Sequence, residues 1–185
     1  MQNNKLPFLI LFWIFLGCTY KERKRTIIID NILTIDIPNE FAFKKQDGID
    51  SYIFSLENKD GISFHGDISL YSNDLSEPIF PVFKNSLKDS ILNRSKYTLD
   101  TTLYHFSETP EKDMEERIFS KQFYIYDTIN GIIVKIIQPK IIGDGFTGLY
   151  IHELRNDENF VLYAKNLDSI NHIKALQMFK TIKYK

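Results

Sequence analysis

Ser63, His65, Asp67 and Ser69 are the residues whose types and spacing come nearest to a hydrolytic set. In an extended chain alternate side chains share a face, so Ser63 lies on the side of His65, and Asp67 follows close enough to orient an imidazole. A base beside a hydroxyl, with Ser63 or Ser69 as nucleophile, is the beginning of covalent catalysis. The sequence shows no group that activates either hydroxyl and no oxyanion hole around it. A small envelope hydrolase using His65 is therefore the alternative reading and not the leading one.

Gly143-Asp144-Gly145-Phe146-Thr147-Gly148 has the glycine spacing that lets a backbone approach phosphates, and Asp168 follows at the distance of a ribose-binding acid. A dinucleotide site needs a helix to open at those glycines, so that its amino terminus holds the pyrophosphate. Leu149-Tyr150-Ile151-His152 follows instead and reads as a strand. Tyr163-Ala164-Lys165 gives the local look of a kinase glycine loop, but too little chain remains after Lys165 for a catalytic loop and a metal-binding Asp-Phe-Gly. The segment is expected to be a loop joining two strands. The four histidines are scattered and no two have metal-ligand spacing, so no metal and no cofactor is expected. Glu108, Glu111, Asp113, Glu115 and Glu116 crowd a polar stretch without an apolar pattern to fix their separation. They read as a solvated loop and not as a catalytic pair.

The chain has a single cysteine, Cys18, placed directly after Phe15-Leu16-Gly17. Before it stand a polar start with Lys5 and an apolar stretch from Leu6 to Leu16, the parts of an export signal. Eleven apolar residues make a helix of roughly 16 Å, against a bilayer core of about 30 Å, so the stretch is too short to span. The arrangement resembles a bacterial lipoprotein signal peptide. The resemblance implies cleavage before Cys18, a diacylglycerol on its thiol, and residence in the bacterial cell envelope. Thr19 is not the aspartate that signals retention, which leans the destination to the outer membrane. Each buried acyl methylene contributes about 0.8 kcal/mol, so two or three chains hold a domain on a membrane. Residues 18–30 are expected to form a tether in which Lys21-Glu22-Arg23-Lys24-Arg25 meets lipid headgroups.

Composition bounds the rest. Of 185 residues, removal of 1–17 leaves about 168, enough for one domain, expected over 31–185. The 23 basic residues lose Lys5 and so stand at 22 against 24 acidic ones, a balance of about −2 that argues against a nucleic-acid partner.

The elements that must position these residues are mostly strands. Leu33, Ile35 and Ile37 alternate with polar residues before Pro38, and Phe41 and Phe43 extend the face. Tyr52, Phe54 and Leu56 form a second strand ending at the turn Asn58-Lys59-Asp60-Gly61. Ile62, Phe64, Ile68 and Leu70 form a third, with a bulge expected near Gly66. The spacing of Phe80, Phe83, Leu87 and Ile91 predicts an amphipathic helix ending near Asn93. A polar connection over 95–116 follows, with a short strand near Leu103 to Phe106. Phe123 to Tyr126 and Ile132 to Ile137 flank Asn130-Gly131, a strong hairpin signal. Within the second of these strands only Lys135 is polar, the look of a strand covered on both faces. Gly148 to Leu154 pairs with Phe160 to Leu167. A final helix carries Ile170, Ile173, Leu176 and Phe179 as its apolar stripe, capped by Asp168 or Ser169, and 181–184 returns as an edge strand.

The expected fold class is α+β: an antiparallel sheet of about seven strands covered by two helices. This order of elements, with the phrases Asp47-Gly48-Ile49-Asp50-Ser51-Tyr52 and Phe179-Lys180-Thr181-Ile182-Lys183-Tyr184, resembles the PsbP-like sandwich and uncharacterised lipoproteins of Bacteroidetes. PsbP-like domains are mostly non-catalytic binding or assembly modules, and no functional residue carries over. Tyrosine offers contact area at modest entropic cost, and Tyr124, Tyr126 and Tyr150 are the expected binding face for an envelope protein or glycan. The function expected is a lipid-anchored cell-envelope binding or assembly module that performs no chemistry of its own.

Overall fold

The computed structural model describes residues 23–46, 48–78, 80–94 and 104–185. Cys18 and the apolar leader lie outside the described residues. The fold is mixed α+β and dominated by strands. A seven-stranded antiparallel sheet is built from β3 (Ala42–Gln46), β4 (Tyr52–Glu57), β5 (Ser63–Ser69), β8 (Gln122–Ile129), β9 (Ile132–Pro139), β10 (Phe146–Arg155) and β11 (Glu158–Lys165), in the order β3-β4-β5-β11-β10-β9-β8. A second sheet joins β1 (Lys24–Ile29), β2 (Leu33–Pro38) and β12 (Lys183–Tyr184), with β2 in the middle. Two short parallel strands, β6 (Val82–Lys84) and β7 (His105–Ser107), form a third.

The core lies between one face of the large sheet and a cover made by the small sheet and helix α3 (Ser169–Phe179), which packs on β10 and β2. Period two places Phe54, Leu56, Phe64, Ile68, Leu149, Ile151, Phe160 and Leu162 on that inner face, all buried. Leu33, Ile35 and Ile37 meet them from β2, each with no exposed surface. Removing a side chain of this size from water contributes about 1.5–3 kcal/mol, which makes the alternation of β2 a strong local determinant.

Several expectations are corrected here. Lys24 to Ile29, read as tether, is a strand of the domain in full register with β2, because Ile27 and Ile29 alternate inward as Ile35 and Leu33 do. β5 has no bulge at Gly66 and pairs regularly with β4 and β11. The glycine is required instead because the Phe54 ring occupies the space that its Cβ would fill. The predicted helix over Phe80 to Asn93 shrinks to a 3-10 turn at Asn85–Leu87 and α1 (Lys88–Arg94). Phe83 sits in β6, where its ring packs on Tyr104 and Phe106 at 5.9 and 6.2 Å, so aromatic pairing satisfies the apolar spacing that suggested a helix. Part of the polar connection is helical, α2 (Pro110–Glu115), started by a proline whose fixed φ suits the first turn.

The stripe of α3 is rotated. His172, Ala175, Met178 and Phe179 are buried, while Ile170 and Ile173 are 67% and 54% exposed. Asp168 is the cap, accepting the Asn171 N–H at 2.8 Å. So the cover is one helix plus a small sheet, and α2 packs on β6 and β7 instead. β9 is covered on both faces over Val134–Ile137 but not at Ile133, which is 74% exposed. Two of the hairpin turns are two residues long: Asn130 and Gly131 join Ile129 to Ile132, and Asn156 and Asp157 join Arg155 to Glu158, all at positive φ.

Candidate functional site

The outer face of the large sheet carries the three tyrosines. Pairing in β8, β9 and β10 sets Tyr126, Lys135 and Tyr150 in one cross-strand row, and Tyr124, Ile137 and Gly148 in the next. The cation at the centre is Lys135, only 6% exposed. Its ammonium donates to the Asp74 carbonyl at 2.8 Å, the Asp74 carboxylate at 3.1 Å and the Ser76 hydroxyl at 2.6 Å. Three N–H groups thus meet three acceptors, which offsets the cost of desolvating the charge. The rings of Tyr124 and Tyr150 lie 4.9 and 5.8 Å from the same nitrogen.

These bonds hold the strap Ser72–Pro78 across the sheet. Leu75 stands at φ 58, a region that branched side chains rarely adopt, with its N–H bonded to the Asn73 side chain at 2.8 Å. It is buried over Gly148, where a Cβ would lie 2.6 Å from the leucine methyl. Glu77 closes the strap. Its carboxylate accepts the Lys121 N–H at 3.0 Å and the Ser120 hydroxyl, and its own N–H donates to the Tyr124 phenol at 2.8 Å. Burial would raise the pKa of Asp74, but the Ser76 N–H and hydroxyl and the Lys135 ammonium outweigh it and hold the carboxyl below its usual value. Burial, with the charge of Asp74, pushes the Tyr150 phenol up, and burial with Glu77 and Asp74 does the same to Tyr124 against the pull of its N–H bond and Arg117.

Beside the strap opens a cleft of about 400 Å³ between Tyr124, Phe80, Val82, Met114, Phe119 and Arg117. Its walls are mainly apolar. Arg117, at φ 51 just past α2, places its guanidinium 5.5 Å from the centre of the Tyr124 ring. Asp113, which also borders the cleft, is engaged by the hydroxyls of Ser107 and Thr109. Phe119 also stacks on His105 at 4.3 Å, and Phe80 meets His105 edge-on at 5.8 Å. The second hollow there reaches Gly145 and Phe146, so the glycine segment forms its rim. That segment is a loop: Gly143 and Gly145 have positive φ, Asp144 pairs with Ile141, and β10 begins at Phe146.

Of the candidate binding residues, Tyr124 and Tyr150 converge on Lys135, and Tyr126 stands apart at the sheet edge, 73% exposed. Arg117, Met114 and Phe119 are not marked as binding residues by the sequence, and Phe80 is marked only as part of a helix stripe. The nearest signal was Lys135 itself, a lone cation in an apolar strand, which marks a buried charge needing partners.

Ser63 and His65 share a different hollow of about 440 Å³ with Tyr163, Lys165 and Asp168. Asp67 does not orient His65: one carboxylate oxygen accepts from the hydroxyls of Ser69 and Ser72 at 3.0 and 2.8 Å. The imidazole rests 5.7 Å from the Tyr163 ring. No protein-family model, no curated protein and no solved structure matches the chain.

Proposed function

We propose that the chain is a lipid-anchored cell-envelope binding module, and that its ligand seats in the cleft between Tyr124 and Arg117. The observation that carries this reading is the Arg117 guanidinium held over an aromatic ring at the mouth of an apolar cleft. Apolar walls supply affinity and Arg117 supplies orientation, the one cation of a lining whose carboxylates are already engaged, Glu77 by Ser120 and the Lys121 N–H and Asp113 by Ser107 and Thr109. A partner with an aromatic or aliphatic body and one carboxylate, sulfate or phosphate group suits both. The strap, pinned by Lys135 and Glu77, keeps the wall rigid, which reduces the ordering cost of binding. The anchor rests on the Leu6-to-Cys18 sequence and on how little chain, Thr19 to Arg23, separates that cysteine from β1. The architecture is read as PsbP-like on the order of its elements.

Titration of the folded protein with 8-anilinonaphthalene-1-sulfonate, an anionic aromatic probe, tests the cleft. Arg117→Gln is expected to weaken binding roughly tenfold, about 1.4 kcal/mol. His65→Ala is expected to leave it unchanged. Equal affinity of wild type and Arg117→Gln would remove the cleft from the account. The hydrolase reading is favoured only by the hollow that Ser63 and His65 share. Turnover of an ester, peptide or glycoside that disappears in His65→Ala would put that reading first.

A further inference from the structure

The strands that end the two larger sheets differ in one respect. β1 carries Lys24 and Arg25, β12 carries Lys183, and β3 carries Lys44 and Lys45. Such charges are the usual defence against pairing with another chain. The remaining edge, β8, has the sequence Gln-Phe-Tyr-Ile-Tyr-Asp-Thr-Ile, without lysine, arginine or proline. It shows Phe123 at 54%, Ile125 at 44% and Tyr126 at 73% exposure.

Backbone geometry identifies the groups this edge leaves open. The two-residue turn makes Ile129 and Ile132 a hydrogen-bonded pair, and the Lys140 N–H to Lys121 carbonyl bond of 2.8 Å continues the same phase at the far end. Odd-numbered residues of β8 therefore bond to β9 and even-numbered ones face outward. The Gln122 N–H is closed by the Ser120 hydroxyl oxygen, whose proton Glu77 and the Gln122 carbonyl share, and the Thr128 N–H by the Asp127 carboxylate. Among the described residues, no backbone bond takes the outward groups of Tyr124 and Tyr126.

We propose that β8 pairs antiparallel with β8 of a second copy of this chain, about a two-fold axis at Ile125, joining the two large sheets. In that register Tyr124 of each copy exchanges both backbone hydrogen bonds with Tyr126 of the other, which uses every outward N–H and carbonyl of these two residues. Residues opposite each other share a face, so the aromatic outer faces become continuous and Ile125 meets its own copy on the inner side. Phe123 comes opposite Asp127 of the other copy. The Lys140 ammonium, held by the Arg117 and Ile118 carbonyls, lies 5.5 Å from the Phe123 ring, so the edge is positive where the Asp127 carboxylate of the other copy comes, twice across the axis. This complementarity, with a two-fold that makes the surface fit itself, selects a second copy over an unrelated strand.

The test uses the full chain with Cys18→Ser, purified in a mild detergent, and light scattering coupled to size-exclusion chromatography. The expected mass is twice that of the chain. Ile125→Lys sets two ammonium groups face to face at an already exposed position, and is expected to give a folded monomer by circular dichroism. In the same Cys18→Ser background, Ile125→Cys places its only thiol on the axis and is expected to form a disulfide dimer on oxidation, whereas Asp127→Cys is not. A monomeric parent, a dimer indifferent to Ile125→Lys, or cross-linking at residue 127 as readily as at 125 would overturn the proposal.

Discussion

Replacing Lys135 with methionine would keep the length of the side chain and remove the ammonium that binds the Asp74 carbonyl, the Asp74 carboxylate and the Ser76 hydroxyl. Asp74 is half exposed and water can take over its charge, so the loss falls on the strap bonds. We expect Lys135→Met to cost about 1–3 kcal/mol, read as a lower urea midpoint at unchanged slope. His172 makes a separate prediction. It is buried, its Nδ1 lies 2.8 Å from the Thr147 hydroxyl, and burial lowers its pKa. The folded state therefore takes up a proton at lower pH than the unfolded chain, whose imidazole titrates near 6.5. Stability is expected to be full above about pH 6.5 and to fall as pH drops below it, until the folded imidazole also protonates. Urea midpoints measured across that range should lose this slope in His172→Gln. Asp74 acts at lower pH: its depressed pKa gives stability present above the unfolded carboxyl's range and lost as pH falls through the folded value. Gly66→Ala is expected to cost about 1–3 kcal/mol by forcing the Phe54 ring aside, with partial recovery in a Phe54→Leu background. From the sequence Gly66 was readable as special but not why, since the ring that needs the space belongs to a neighbouring strand.

The elements show where periodic reading succeeds. Strands with alternating apolar residues, such as β2 and β4, declare themselves by that pattern although Thr34 and Ser55 between them are buried as well, and Asn130-Gly131 fixes its hairpin because both residues adopt positive φ. Asn130 also donates to the Ile182 carbonyl at 2.8 Å, tying that turn to the residue that leads into β12. The helices were harder. On α3 the apolar residues Ile170 and Ile173 stood in better spacing than the true buried face, which includes a histidine and an alanine. A pattern built from residue type alone cannot see that a neutral imidazole with one hydroxyl partner is cheaper to bury than its charged form. We expect Ile173→Glu to change the melting midpoint little, within about 0.5 kcal/mol, and Ala175→Glu to abolish cooperative unfolding. The reverse result would restore the stripe read from spacing. The cleft was largely illegible for a related reason: its walls come from the strap, β6, α2 and β8, elements distant in sequence whose meeting depends on Lys135 and Glu77.

At the scale of the whole molecule, the strand β1 shortens the distance between the proposed anchor and the domain. Only Thr19 to Arg23 separate Cys18 from Lys24, and a fully extended chain covers roughly 3.5 Å per residue, so β1 begins within about 20 Å of the acylated cysteine. If Cys18 is acylated as proposed, a domain on so short a lead would rest beside the bilayer, with Lys24 near the headgroups. Among the described residues no helix is long and apolar enough to cross a membrane. The most direct test of the central claim is the intact mass of the protein recovered from the membrane fraction of a bacterium producing the full chain, beside Cys18→Ala. The expected chain begins at Cys18 and carries acyl mass, both lost in the variant. A wild-type chain that retains its leader, or that begins at Cys18 without acyl mass, would contradict that claim.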